Sequence, residues 1–304
     1  MHKMALPDYR ALGYKGLLVA LDGAVVTIII NRAKQRNTFD NTIVNELIEV
    51  FELCDRDDRV RVVILTAEPT APAYCSGADI SGGWNLLWVP EAEKEGEHAH
   101  RDTGGQVSLA ILNCRKLTIA AINGHAAGVG MTGMQLPFDF RFVWEGAKLT
   151  FPFVRRGIVP EAVSTYLLPR LIGHSRANSL LLTGATVSPT SPYIRDLYHQ
   201  ILPTREEVYP AAKAFADELA ANTSQVAVAY AKGLLLHPGE SAEENHLLDS
   251  RAMKLLGSSR DGAEGVLSFK ERRLPKFPDT LGKNLSSWYP WWRSPNVKHC
   301  QSKL

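Results

Sequence analysis

The chain has 304 residues, 45% of them hydrophobic and 22% charged, the make-up of an ordinary globular protein with one large domain or two small ones. A formal charge of +2 supplies no field of the size that nucleic-acid or membrane-surface binding uses, and no apolar run approaches the roughly 18 residues of a membrane span. Cys54, Cys75, Cys114 and Cys300 lie far apart with no CxxC pair, which speaks against a zinc site or disulfide framework and for a reducing compartment.

The opening segment, MHKMALPDYRALGYKG, lacks the continuous apolar stretch of a signal peptide. AVVTIIINR, bounded by Gly23 and Arg32, is β-branched and predicts a buried strand. NTFDNTIVNELIEVFELCDRD has apolar residues at helical spacing, with Asn37 and Thr38 as candidate caps. VRVVILTAE is a second buried strand, so strand, helix and strand form a right-handed βαβ crossover and a parallel sheet. The pattern repeats with QVSLAILNCRK as helix and LTIAAING and DFRFVWEG as strands. Past Val163 the strand signals fade, and NSLLLTG, the run from Ala211 to Leu235, and AEENHLLDSRAMKLL predict helices. The chain stops at Ser302, Lys303 and Leu304, an S-K-L of the kind the peroxisomal import receptor reads, on a polar approach broken by Pro295. The expected location is the peroxisome.

Two strand-to-loop junctions are candidates for chemistry: YCSGADISGG, after the strand ending near Thr66, and INGHAAGVGMTG, after LTIAA. Glycines there let the backbone approach a ligand, and a helix starting at such a turn points free N–H groups outward. Each alone is also an ordinary structural turn.

Taken in order, NRAKQRNTF, YCSGAD, NGHAAGVG, FDFRFVWEGAKLTFPF and GIVPEAVSTYLLPRLIG resemble the crotonase superfamily of enoyl-CoA hydratases and isomerases, from about Val25 to Gly184, with weaker likeness as far as FKERRLPKF. The resemblance implies an α/β fold, a crotonase-like ββα spiral with a helical C-terminal region. Residues 1–200 would form the core with the acyl-CoA site, and 201–304 a helical region for oligomerisation and CoA contacts. It implies no cofactor beyond the CoA thioester substrate, no metal, and a homotrimer or hexamer. The departure is ATVSPTSPYIRDLYHQILP, where the family has an alanine-rich helix and a Gly-Leu-Val turn.

The family's oxyanion hole is two backbone N–H groups, which fall here on Ala78, after Gly77, and Val129, after Gly128. An enolate formed beside a thioester needs donors already in place, each worth about 3 to 4 kcal/mol of barrier. Hydratases place two glutamates where this chain has Thr132 and Phe153, and no residue from Ala126 to Pro137 is acidic. Glu161, eight residues after Phe153, matches the single glutamate of the Δ3,Δ2-enoyl-CoA isomerases that end in peroxisomal signals. The resemblance thus implies a 3-enoyl-CoA to 2-enoyl-CoA isomerase with Glu161 as acid and base, its pKa raised by Val159, Ala162, Val163 and Phe153. The plainer reading makes Glu161 a cap on a helix beginning near Ala162. Another crotonase activity, such as enoyl-CoA hydration, or a non-catalytic acyl-CoA-binding protein are the alternatives.

Lys34 and Arg36 are candidates for the CoA nucleotide, and Lys270, Arg272 and Arg273 for its phosphates, against ordinary surface charge. His125 is expected to pack or touch CoA, Asp79 to cap a helix, and SSWYPWWRSP to face a subunit neighbour or cover an acyl chain.

Overall fold

The computed structural model describes residues 6–84 and 100–293. The terminal Ser302-Lys303-Leu304, Cys300 and the end of the tryptophan-rich segment lie outside the described residues. Among the described residues no helix is long and apolar enough to cross a membrane.

The strands form two sheets. The large one runs in the order β1 (Leu17–Asp22), β2 (Val25–Ile30), β3 (Val62–Ala67), β5 (Leu117–Ile122), β7 (Phe140–Trp144), β10 (Gln200–Leu202). All neighbours are parallel except β1 and β2, a hairpin that turns at Gly23 with φ 58°. The small sheet is β4 (Ala73–Cys75), β6 (His125–Ala127), β8 (Leu149–Thr150) and β9 (Thr186–Val187). Three times in succession, at β3 and β4, β5 and β6, and β7 and β8, the chain lays one strand in the large sheet and a short one in the small sheet before a connecting segment returns it, the ββα spiral that the resemblance implies.

The strands β3 and β5 are buried along their whole length because both faces of the sheet are covered. Val26, Ile28, Val63, Leu65 and Ala120 pack with Ile43, Leu47, Val50 and Phe51 of α1 (Asn41–Arg56). Alternate residues Val25, Val62, Ile64 and Ile119 pack on the other face with Val208, Ala212 and Ala216 of α6 (Arg205–Asn222). The alternation follows from the two-residue period of a strand.

Several expectations need correction. The cap of α1 is Asp40, whose carboxylate accepts from Thr42 N and Ile43 N; Asn37 instead ties Arg32 N and Ala73 O. Strand β1 and the late strand β10 are not among the expected elements. The helical run from Ala211 to Leu235 breaks at Thr223, because Ser224 caps a new helix, α7 (Gln225–Leu236), through Ala227 N. Where the sequence departs from the family, the chain forms β9, a 3-10 turn at Arg195–Leu197 and β10. Trp288, Tyr289 and Trp291 of the tryptophan-rich segment pack on Tyr230 of α7 within the same chain.

Candidate active site

The two glycine turns meet. Gly77 follows β4 with φ 106° and Gly128 follows β6 with φ 55°, conformations that side-chain residues rarely adopt. A Cβ built on Gly77 would stand 3.3 Å from Ala127 O, and one on Gly128 3.9 Å from the Gly77 Cα, so the turns are in van der Waals contact. Gly77 O and Asp79 N make the bridge to Phe39, which leaves the Ala78 N–H out of it. Val129 opens α3 (Val129–Gln135), where the first N–H groups have no intrahelical acceptor. Tyr74 Oη and the buried Arg141 guanidinium bond to carbonyls at the other end of α3 and hold the helix in place.

Both turns line a cavity of about 750 Å³, largely apolar, that is also lined by Phe153, Ile158, Glu161 and Asp102. Phe153 is buried in its wall. The Glu161 carboxyl does not cap a helix: the following helix, α4 (Ser164–Ile172), begins three residues later with no side-chain cap. Glu161 Oε1 instead accepts from Thr132 Oγ1 of α3 at 2.5 Å, so the position at which hydratases carry a glutamate supplies a donor to Glu161. Ala162 and Val163 then take φ 58° and 62°, a strained pair at the site.

Asp102 is the residue that the sequence reading missed. It caps α2 (Thr103–Asn113), its Oδ1 accepting from Gly105 N at 2.5 Å and from Ala162 N at 3.2 Å. Its carboxyl also lies near enough to that of Glu161 to act on its ionisation. Burial first, then the neighbouring Asp102, push the Glu161 carboxyl up to about 8 against the lowering pull of Thr132. Glu161 is therefore mostly protonated at neutral pH. Of the apolar groups expected to raise it, Ala162 and Phe153 are buried, whereas Val159 is 77% exposed at the cavity mouth.

Lys34 and Arg36 are exposed and do not line the cavity, although Arg36 O accepts from Ser76 N beside the first turn. Arg273 pairs with Glu264 and Glu271. His125 packs beside Trp144 and accepts from Lys148 N. Asp79 closes a turn on Ser81 N rather than capping a helix.

Residues 21–280 match the family model Enoyl-CoA hydratase/isomerase. The chain is 41% identical over 260 residues to Enoyl-CoA hydratase AFT3-1 of Alternaria alternata, covering 86% of this chain and 84% of that protein. It is 29% identical to the 1,2-epoxyphenylacetyl-CoA isomerase of Escherichia coli (strain K12), covering 86% and 97%. Among solved structures, a putative enoyl-CoA hydratase from Streptomyces coelicolor A3(2) superposes with TM-score 0.77 at 27% identity, over 91% of this chain and 99% of that one. The chain belongs to the enoyl-CoA hydratase/isomerase family of the crotonase superfamily.

Proposed function

We propose that this member of the enoyl-CoA hydratase/isomerase family adds water across the double bond of a 2-enoyl-CoA, with Glu161 as the group that moves the protons. The observation that carries this reading is Glu161, its carboxyl pushed up to about 8 by burial, in the lining of the same cavity as Ala78 and Val129. An acid loaded at neutral pH is ready to give a proton, and hydration is the reaction that needs one given to the α-carbon.

In this reading the thioester oxygen accepts from Ala78 N and Val129 N. Water bonds to the β-carbon, the double-bond electrons pass to the thioester as an enolate, and the two N–H groups meet the charge where it develops. Glu161 gives its proton to the α-carbon. The proton lost by the incoming water returns to the Glu161 carboxylate, so the residue ends as it began. Relatives that carry the name enoyl-CoA hydratase support the reading.

Isomerisation of a 3-enoyl-CoA is the second reading, favoured by the position of Glu161 and by Phe153 in place of a further acid. It begins with Glu161 as base, a form present at about a tenth at pH 7 for a group titrating near 8. The two readings therefore differ in pH dependence. Purified protein is given 2-enoyl-CoA and 3-enoyl-CoA, and the conjugated thioester absorbance is followed from acid to alkaline pH. Loss of the 2-enoyl signal, falling off above about pH 8, is the expected result. Turnover of the 3-enoyl substrate alone, rising toward that pH, replaces hydration by isomerisation. Turnover of neither leaves an acyl-CoA-binding protein.

We also propose that the helical region seats further copies of the chain. Leu235 on α7, Met253 on α8 (Ala242–Gly257) and Phe269 on α9 (Arg260–Glu271) are 82%, 74% and 85% exposed, unusual for apolar side chains on adjacent elements. Sedimentation is expected to show a trimer or hexamer; a monomer at micromolar concentration removes this proposal.

A further inference from the structure

We infer that Asp102 is the positioning residue of the reaction: held as a carboxylate at the start of α2, it keeps the proton on Glu161 and fixes the backbone from which Glu161 projects. The inference rests on the proton-transfer role of Glu161 proposed above.

Two neighbouring carboxyls, set one on each side of Gly104 and the Ala162 N–H, oppose each other's ionisation, and the geometry decides which of them carries the proton. Asp102 receives two main-chain N–H groups, from Gly105 and Ala162, and stands at the positive end of an 11-residue helix. Both features set main-chain N–H dipoles against the Asp102 carboxyl. Glu161 has one hydroxyl donor, Thr132, in a largely apolar wall. The charge therefore belongs on Asp102 and the proton on Glu161.

The groups facing Glu161 come from three elements: Asp102 from α2, the Thr132 hydroxyl from α3, and the buried Cys75 thiol from β4, itself pushed up to about 12 by burial. His100 and Arg156 line the same cavity. Among the described residues Asp102 is the carboxyl whose negative charge opposes ionisation of Glu161.

The second half of the role is mechanical. Ala162 N donates to Asp102 Oδ1, and Ala162 O accepts from Ser108 Oγ, buried about one and two-thirds turns further along α2, at 2.9 Å. One helix thus grips both ends of the residue next to Glu161, and these bonds offset the strain of the left-handed pair Ala162 and Val163. Gly104, between the two grips, leaves the space that the Glu161 carboxyl fills.

The test is Asp102→Asn, which keeps a good helix cap and an oxygen for both N–H groups while removing the charge. Glutamate labelled with carbon-13 at Cδ, with Glu161→Gln to assign the signal, reads the Glu161 titration directly. The wild-type midpoint is expected near 8, and the variant midpoint at least about one pH unit lower. The alkaline limb of turnover should move by the same amount, with kcat at pH 7 reduced about 2-fold or more and KM little changed. An unchanged midpoint in the variant overturns the inference, as does a wild-type midpoint in the ordinary carboxylate range, which needs no variant to fold. Because the titration is read without substrate, an absent hydratase activity refutes the proposed function while the titration still decides on Asp102.

Discussion

Gly104→Ala separates the demands of folding from those of catalysis. Gly104 is the second residue of α2, and its Cβ, if present, would stand 1.9 Å from Glu161 Oε2 and 3.1 Å from both Glu161 Cδ and Ala162 Cβ. Real Cβ atoms essentially never come closer than 3.0 Å to another atom, so the carboxyl must move by about 1.1 Å. The far end of a glutamate can do this, whereas the contact with Ala162 asks only for a few tenths of an ångström. Alanine is also the better helix former by about 1 kcal/mol, which offsets the crowding. The fold should survive with a melting temperature close to wild type. Catalysis should not, because a displacement of about 1 Å in a reacting group costs on the order of 100-fold in rate. The assay is kcat on saturating enoyl-CoA beside a thermal unfolding curve. A variant that keeps wild-type kcat refutes the placement of the Glu161 carboxyl over Gly104 in the working protein. A variant that fails to fold refutes the division between a tolerant helix and an intolerant site.

Glu161→Gln keeps the shape of the side chain but holds no transferable proton, and kcat should fall by about 100-fold to 10,000-fold while affinity for a non-reactive acyl-CoA is unchanged. The same variant changes stability with a defined sign. The Glu161 carboxyl titrates near 8 when folded against an ordinary 4.5, so between those values the folded state holds a proton that the unfolded state has lost. The contribution is fully present below about pH 4.5 and fades as pH rises through 8, at about 1.4 kcal/mol per pH unit. Urea unfolding at acid and alkaline pH should show this slope in wild type and not in the variant. Thr132→Val removes the hydroxyl that pulls Glu161 down, so the alkaline limb of turnover should move to higher pH. Gly77→Ala puts a side chain at φ 106° and presses it toward Ala127 O, and losing the aim of the Ala78 N–H should cost about 100-fold to 1,000-fold in kcat.

Much of this protein is legible in its sequence. The β-branched runs at Val25 and Val62 are strands because such side chains suit a pleated, buried surface, and their alternation with helical periods implies a parallel sheet. The order of the glycine turns and of the segment around Glu161 pointed to the family. Shorter or more local features were harder to read: β10 has three residues, too few for a period to show, and Asp40 displaced Asn37 as the cap because Asn37 is committed to Arg32 and Ala73.

The protonation state of the site lay beyond reach of the sequence. RDTGG carries a helix-cap signal at Asp102, and GIVPEA shows an acid beside apolar residues, but nothing in either stretch says that the two carboxyls are neighbours. Asp102 and Ala162 are 60 residues apart, and only the packing of α2 against the turn before α4 joins them. The sequence by itself determined that an acid stands near a pair of glycine turns. Whether that acid rests as a proton donor or as a base depends on its solvation and on the charge beside it, and both exist only once the chain has folded.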